Sequence, residues 1–299
     1  EKISHEKILT YEEIIHVSKF CARLGIKKIR LTGGEPLLRK NICELIAALK
    51  NINGIDQVTL TTNGILLSKY LENLISSGID GINLSLDTLD AKIFSELTRR
   101  DLFSKVIESF QTLIDANFLN IKINSVLIHG INDREILKLV ELARKNPIKI
   151  RFIELMPIGC AENFIGVPTS EIFKVIEENF GKMIPIDEKD QLHGPARYFK
   201  IENFIGQIGF IDALEHKFCS SCNRIRLTAE GFLKPCLNFG IGLDLRNLLR
   251  SNCDDQMILS AIQQTIYNKP REHLFNQQNN SNNFIKSLCN YQMRRIENI

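Results

Sequence analysis

Short β-branched runs alternate with longer segments of helical period through the first 155 residues, and this alternation constrains the fold more than any other feature. The runs "KKIRLT" (27–32), "QVTLTT" (57–62), "GINLSL" (81–86), "NIKINSVLI" (120–128) and "KIRFIEL" (149–155) read as strands. Helical segments fill the gaps, which predicts repeated βα units on a parallel sheet. Thr10 with Glu13, ahead of Ile14, Ile15, Cys21 and Leu24, predicts a capping box opening an amphipathic helix that Gly25 closes. A parallel barrel does not ordinarily open on a helix, so a further strand and its loop are expected upstream.

Beyond Pro157 the pattern shifts to a glycine-containing loop, a helix over 169–180 and short strands within "RYFKIENFIGQIGFI" (197–211). A cysteine-bearing segment follows, then a helix through "LDLRNLLRS", another over 254–267, and a polar tract "NQQNNSNN" (276–283) that reads as solvated loop. A length of 299 residues suits two average domains or one large α/β barrel. The net charge of +3 is too small to argue for nucleic acid or a membrane surface, and no apolar run reaches the span of a bilayer. The expectation is a cytoplasmic protein.

Three consecutive strands end in glycine-rich or polar residues, "RLTGGEP", "LTTNG" and "LSLD", at the end of the sheet where ligands of parallel barrels gather. The two glycines of "TGGEP" allow close backbone approach to a ligand, or simply form a tight turn. "TTNG" offers hydroxyls and an amide, yet Asn-Gly is also a common turn. Ser85 and Asp87 suit either a ligand or a helix cap. Cations recur near the same rim: Arg30, Lys122, Arg151, Arg224 and Arg226. If Lys122 and Arg151 point inward, their burial calls for a phosphate or carboxylate, with ion pairing to Glu35 or Glu154 as the alternative. Arg224 and Arg226 alternate on an expected strand, which would set both guanidiniums on one side as a triphosphate clamp.

Eight cysteines are too few for a disulfide scaffold of this length, and only Cys219, Cys222 and Cys236 cluster. Their C-x2-C-x13-C spacing suits zinc with His216, Cys253 or Asp244 as a fourth ligand. It also suits a [4Fe-4S] cluster on three thiolates, which leaves one iron open to substrate. A Cys219–Cys222 redox pair is the third option.

The segments "RLTGGEPLLRK", "LTTNG", "INLSLD", "RFIELMPIG" and "FCSSCNRIRLTAEG", in this order, resemble the molybdenum cofactor biosynthesis protein A family, the GTP 3',8-cyclases of the radical S-adenosylmethionine (SAM) superfamily. The resemblance implies an incomplete (β/α)6 TIM-like barrel with a C-terminal α+β region closing its open side. It also implies an enzyme in which a reductively cleaved SAM yields a 5'-deoxyadenosyl radical that takes hydrogen from C3' of GTP. Attack on C8 then gives 3',8-cyclo-7,8-dihydro-GTP. Carried over by position, Gly34, Ser85 and Met156 would contact SAM, and Arg30, Thr61, Lys122, Arg224 and Arg226 would contact GTP. Cys219, Cys222 and Cys236 would hold the substrate-side [4Fe-4S] cluster. A downstream cyclic pyranopterin synthase and an electron donor are implied as partners, and a homodimer is compatible with the family.

Two features depart from that pattern. No cysteine precedes Cys21, so the ligands of the second cluster expected in the family, an N-terminal C-x3-C-x2-C loop, are absent from these residues. The ending "MRRIENI" carries Glu297 and Asn298 where the family has a Gly-Gly tail. The resulting expectation is a radical SAM partial barrel over 1–157 that lacks its first strand and cluster loop. Residues 158–299 would supply the remaining barrel and a C-terminal iron–sulfur and substrate region. As such it reads as a truncated cyclase not active by itself, or as a degenerate, non-catalytic iron–sulfur and nucleotide-binding relative.

Overall fold

The computed structural model describes residues 3–187, 194–216, 218–251 and 253–273. The polar tract at 276–283, Cys289 and the Glu297–Asn298 ending lie outside the described residues. In chain order the elements are α1 (Tyr11–Arg23), β1 (Lys28–Leu31), α2 (Ile42–Lys50), β2 (Gln57–Thr62), α3 (Leu67–Ser76), β3 (Gly81–Ser85), α4 (Ala91–Thr98), α5 (Phe103–Asp115), β4 (Ile121–Ser125), α6 (Ile136–Lys145) and β5 (Lys149–Ile153). Then come α7 (Thr169–Phe180), β6 (Ile184–Ile186), β7 (Arg197–Lys200), β8 (Gln207–Ile211), β9 (Arg226–Leu227), β10 (Phe232–Lys234), β11 (Leu243–Asp244), α8 (Leu245–Arg250) and α9 (Asp255–Tyr267).

One sheet runs in the order β1-β2-β3-β4-β5-β8-β7-β6. Strands β1 to β5 and β8 are parallel, whereas β7 and β6 return antiparallel. This is a partial TIM-like barrel whose sheet ends on β1 and β6 instead of closing, and its sixth parallel strand comes from the second half of the chain. Strand β4 stops at Ser125, short of the expected 128, because two backbone donors leave the ladder. The Val126 N–H donates to Asp87 and the Ile128 N–H to Asn132, each at 2.8 Å. Between β3 and β4 two helices stand, divided where Arg99 takes a left-handed conformation (φ 56°).

The parallel strands alternate strictly in chemistry. Val58, Leu60, Ile82, Leu84, Ile121, Ile123, Ile150, Phe152, Ile208 and Phe210 join the main core against the helices. A ring cluster of Phe152, Phe173, Phe199 and Phe210 packs α7 onto β5, β7 and β8. Each of the fully buried side chains among these, such as Leu60, Ile123, Phe152 and Phe210, contributes about 1.5–3 kcal/mol.

A second core joins α1 to the C-terminal elements through Val17, Phe20, Leu233, Leu245, Ile258 and Ile262. The capping box at Thr10 and Glu13 forms as the sequence predicts, and Glu13 also pairs with Arg250 of α8 at 2.6 Å. The Leu9 N–H donates to the Ala229 carbonyl at 2.8 Å. These contacts hold the C-terminal region against α1, beside edge strand β1.

Candidate functional site

The strand residues between the core positions face away from the helices, because side chains of a strand alternate between its two faces. They are Lys28 and Arg30, Thr59 and Thr61, Asn83, Lys122 and Asn124, and Lys149 and Arg151. The register sets Thr61, Asn83, Lys122 and Lys149 side by side in one row, and Ser85, Asn124, Arg151 and Gly209 in the next. An ordinary βα barrel fills this space with Val, Ile and Leu. Here it is lined with amides, hydroxyls and cations.

Arg151 is buried and donates from Nη2 to Asn83 Oδ1 at 2.7 Å and from Nε to Asn124 Oδ1 at 2.8 Å. Asn83 in turn donates to the Leu60 carbonyl at 3.0 Å and to Thr61 Oγ1 at 3.2 Å. A neutral network therefore orients Arg151 without discharging it. Tyr198 lies beside Arg151, and Lys149 Nζ stands 4.4 Å from the centre of the Tyr198 ring. Gly209 makes this crowding feasible: a Cβ there would lie 2.8 Å from the Tyr198 ring and 3.2 Å from Arg151 Cγ.

The electrostatics follow from that crowding. Burial, then the fields of Arg151, Lys28, Lys149 and Arg30, push the Lys122 ammonium down to about 7. Burial and the fields of Arg151, Arg224 and Arg226 push Arg30 down to about 10, with Tyr198 opposing them. Burial and Arg224 likewise lower Arg226. The two acids that offered a neutralising alternative are engaged elsewhere. Glu35 accepts from the Asn63 N–H, Thr62 Oγ1 and the Leu37 N–H, while Glu154 accepts from the Leu214 and Glu215 N–H groups.

At the strand ends, Gly33 takes φ 135°, and a Cβ at Gly33 or Gly34 would meet nothing within 4 Å. Ser85 is exposed at the end of β3, and Met156 lies half-buried just beyond β5. Asp87 is not the helix cap the sequence suggested: it accepts from the Val126 N–H, while Asp90 caps α4. Its surroundings push its carboxyl up to about 6. Asn63 and Gly64 form the tight turn of their motif, with Asn63 Oδ1 accepting from the Ile65 N–H and Gly64 at φ 84°.

The C-terminal segment brings Arg224 and Arg226 to Arg30 of the far edge strand. Only Arg226 lies on a strand; Arg224 stands in the preceding loop, with its guanidinium 4.7 Å from the centre of the Phe218 ring. Cys222 and Cys236 both act on Arg226, so these two thiols lie beside the cationic interior. Cys219, Cys222 and Cys236 are free and half-buried. Burial raises the Cys222 thiol, but hydrogen bonds from the Arg224 backbone and Lys269, together with the fields of those two cations, lower it overall. Among the described residues no group of three His, Cys, Asp or Glu side chains converges as one metal ion needs. The fourth zinc ligands are also otherwise engaged. His216 Nδ1 lies 3.5 Å from Asp212, Asp244 caps α8, and Cys253 accepts from Ser251 Oγ. Three thiolates that each take a different iron of a [4Fe-4S] cube need no such common point, whereas a single zinc does.

Residue-by-residue reading of the sequence missed Asn83, Asn124, Lys28, Lys149 and Tyr198. The first four share the inward face of strands already identified, so the period-2 alternation was the signal that could have found them.

Comparison with known proteins places the chain in a class first. Residues 1–143 match the Radical SAM superfamily and residues 148–275 match the family described as Molybdenum Cofactor Synthesis C. The GTP 3',8-cyclase of Clostridium perfringens (strain SM101 / Type A) is 46% identical over 274 residues, covering 91% of this chain and 84% of that protein. The GTP 3',8-cyclase of Pelotomaculum thermopropionicum is 39% identical over the same shares. A solved structure of TYW1 with a lysine-pyruvate adduct bound superposes with a TM-score of 0.45 at 22% identity, over 60% of this chain and 64% of that one. The chain belongs to the GTP 3',8-cyclase family. No helix among the described residues is long and apolar enough to cross a membrane.

Proposed function

We propose that this chain binds GTP with its triphosphate in the cationic barrel interior and its base toward the cysteine segment. The reading makes it a GTP 3',8-cyclase chain of molybdenum cofactor biosynthesis. The observation that carries it is that burial and neighbouring cations lower Arg30, Lys122 and Arg226 together, Arg151 acting on Arg30 and Lys122 and Arg224 acting on Arg30 and Arg226, with Cys222 and Cys236 beside Arg226. A triphosphate offers that set of cations the negative charge that the neutral amides Asn83 and Asn124 do not.

In this reading Arg30, Lys122, Arg224 and Arg226 hold the phosphates, and Thr61, tied to Asn83, positions the ribose end. Cys219, Cys222 and Cys236 hold a [4Fe-4S] cluster, and Gly34, Ser85 and Met156 at the ends of β1, β3 and β5 line the place for SAM. When bound, the cluster supplies an open iron for the guanine, and SAM supplies the radical precursor. The carboxyl of Asp87, raised by its surroundings, stands two residues beyond Ser85 and fixes the β4 loop.

Calorimetry of GTP binding to the chain and to its Arg224→Ala and Arg226→Ala variants tests the reading. Each variant loses at least about tenfold in affinity, the range of one desolvated charge-assisted contact. Unchanged affinity would mean that the two arginines are surface charge and that the interior is not a triphosphate site.

A further inference from the structure

Lys269 lies just beyond α9, where its backbone N–H bonds the Ile266 carbonyl of the helix's last turn. Its ammonium reaches three acceptors of the cysteine loop: the Cys222 carbonyl at 2.6 Å, Cys222 Sγ at 3.2 Å and the Arg224 carbonyl at 2.9 Å. The helix that delivers it is anchored by Ile258 and Ile262 in the core shared with α1. One cation on a braced helix thus spans the backbone between the cysteine and the arginine. The Arg224 backbone N–H also bonds Cys222 Sγ, so this sulfur receives two donors.

We infer that Lys269 is a positioning residue that clamps the Cys222–Arg224 loop and, by its hydrogen bond to Cys222 Sγ, raises the reduction potential of the cluster held there. The inference rests on Cys222 being a cluster ligand, as proposed above. Two physical reasons support it. An extended loop with no helix or long strand of its own has little to fix its carbonyls, and three bonds from one ammonium fix them together. A positive charge at a ligating sulfur also favours the more negative, reduced state, and hydrogen bonds to the sulfurs are among the groups that set cluster potentials.

The test compares the full chain with Lys269→Met and Lys269→Arg. In iron-free protein, amide exchange across residues 222–226 is expected to quicken at least several-fold in Lys269→Met, while exchange in the helices of the barrel stays unchanged. After anaerobic reconstitution, a mediated dithionite titration followed by EPR is expected to show the cluster of Lys269→Met harder to reduce. A tenfold change in the reduction equilibrium corresponds to about 59 mV for one electron. Lys269→Arg, which keeps the charge, returns most of both effects. Unchanged exchange or an unchanged midpoint in Lys269→Met overturns the inference. So does a Lys269→Arg chain that shifts as far as Lys269→Met, since packing and not the cation would then be responsible. If the unsubstituted chain takes up no cluster, the reading of the cysteines fails, and that outcome is distinct from a loaded cluster indifferent to Lys269.

Discussion

Lys122 should destabilise the ligand-free protein, and removing it should make the chain more stable. Its ammonium titrates at about 7 instead of 10.5, so between these values the unfolded chain binds a proton that the folded chain does not. Stability from this group therefore rises with pH through that window, and the full cost of holding the charge applies below pH 7. A shift of about 3.5 units corresponds to about 5 kcal/mol at most. Lys122 is only half-buried, and solvent screening reduces the figure to about 2 kcal/mol. Lys122→Met keeps a side chain of similar length without the charge. At pH 6.5 it is expected to melt about 5 °C above the unsubstituted chain, by the usual conversion for chains of this size. The gain should shrink steadily toward pH 10. Inorganic triphosphate at pH 6.5 should stabilise the unsubstituted chain more than the variant and close the gap, because an anion makes the charge favourable again. Calorimetric melts at several pH values decide the matter. A Lys122→Met chain that is less stable at pH 6.5, or whose advantage does not depend on pH, would refute the account of the interior as an uncompensated cationic space.

Other outcomes follow from the same contacts. Gly209→Ala sets a Cβ 2.8 Å from the Tyr198 ring and is expected to cost about 1–3 kcal/mol in urea unfolding, with a further loss of GTP affinity as Arg151 shifts. A variant of unchanged stability would show that the Tyr198 ring is free to move aside. Glu13→Ala removes both the reciprocal half of the capping box and the 2.6 Å pair with Arg250, and should lower the urea midpoint of unfolding. Exchange should then quicken in α8 as well as α1 if the pair ties the two ends of the chain, and in α1 alone if it does not. Cys236→Ser should reduce the iron retained after reconstitution and leave the melting of the iron-free chain nearly unchanged. Equal iron retention would remove Cys236 from the ligand set.

Much of the fold was legible because it is written in local periodicity. The first five parallel strands and the helices around them follow from runs of β-branched residues and 3.6-residue spacing, and the Thr10 capping box was read correctly to the residue. The ends were less legible. Strand β4 stops early because Asp87 and Asn132, distant along the chain or beyond the strand, capture its next donors. Arg224 falls off the expected strand for the same kind of reason, since Lys269, 45 residues on, takes its carbonyl. In the site, Arg30, Lys122, Arg151, Arg224 and Arg226 stood out as cations on strands or next to cysteines. Asn83 and Asn124 did not, because an amide on a strand carries no sign of what it will orient.

The sequence by itself determined the alternation of the strands, and so a sheet with one apolar face and one cationic face. It also determined the spacing of three soft thiolates and the family motifs that place the chain among GTP 3',8-cyclases. Tertiary structure alone decided that the cationic faces of β1, β4 and β5 look into one space. It also decided that Glu35 and Glu154 do not neutralise that space, and that the arginines after the cysteines reach Arg30 from the other end of the chain. The physical reason is range. Side-chain alternation is fixed by the residue's own backbone, whereas a pKa depends on every charge within several ångströms, and only folding brings those charges together.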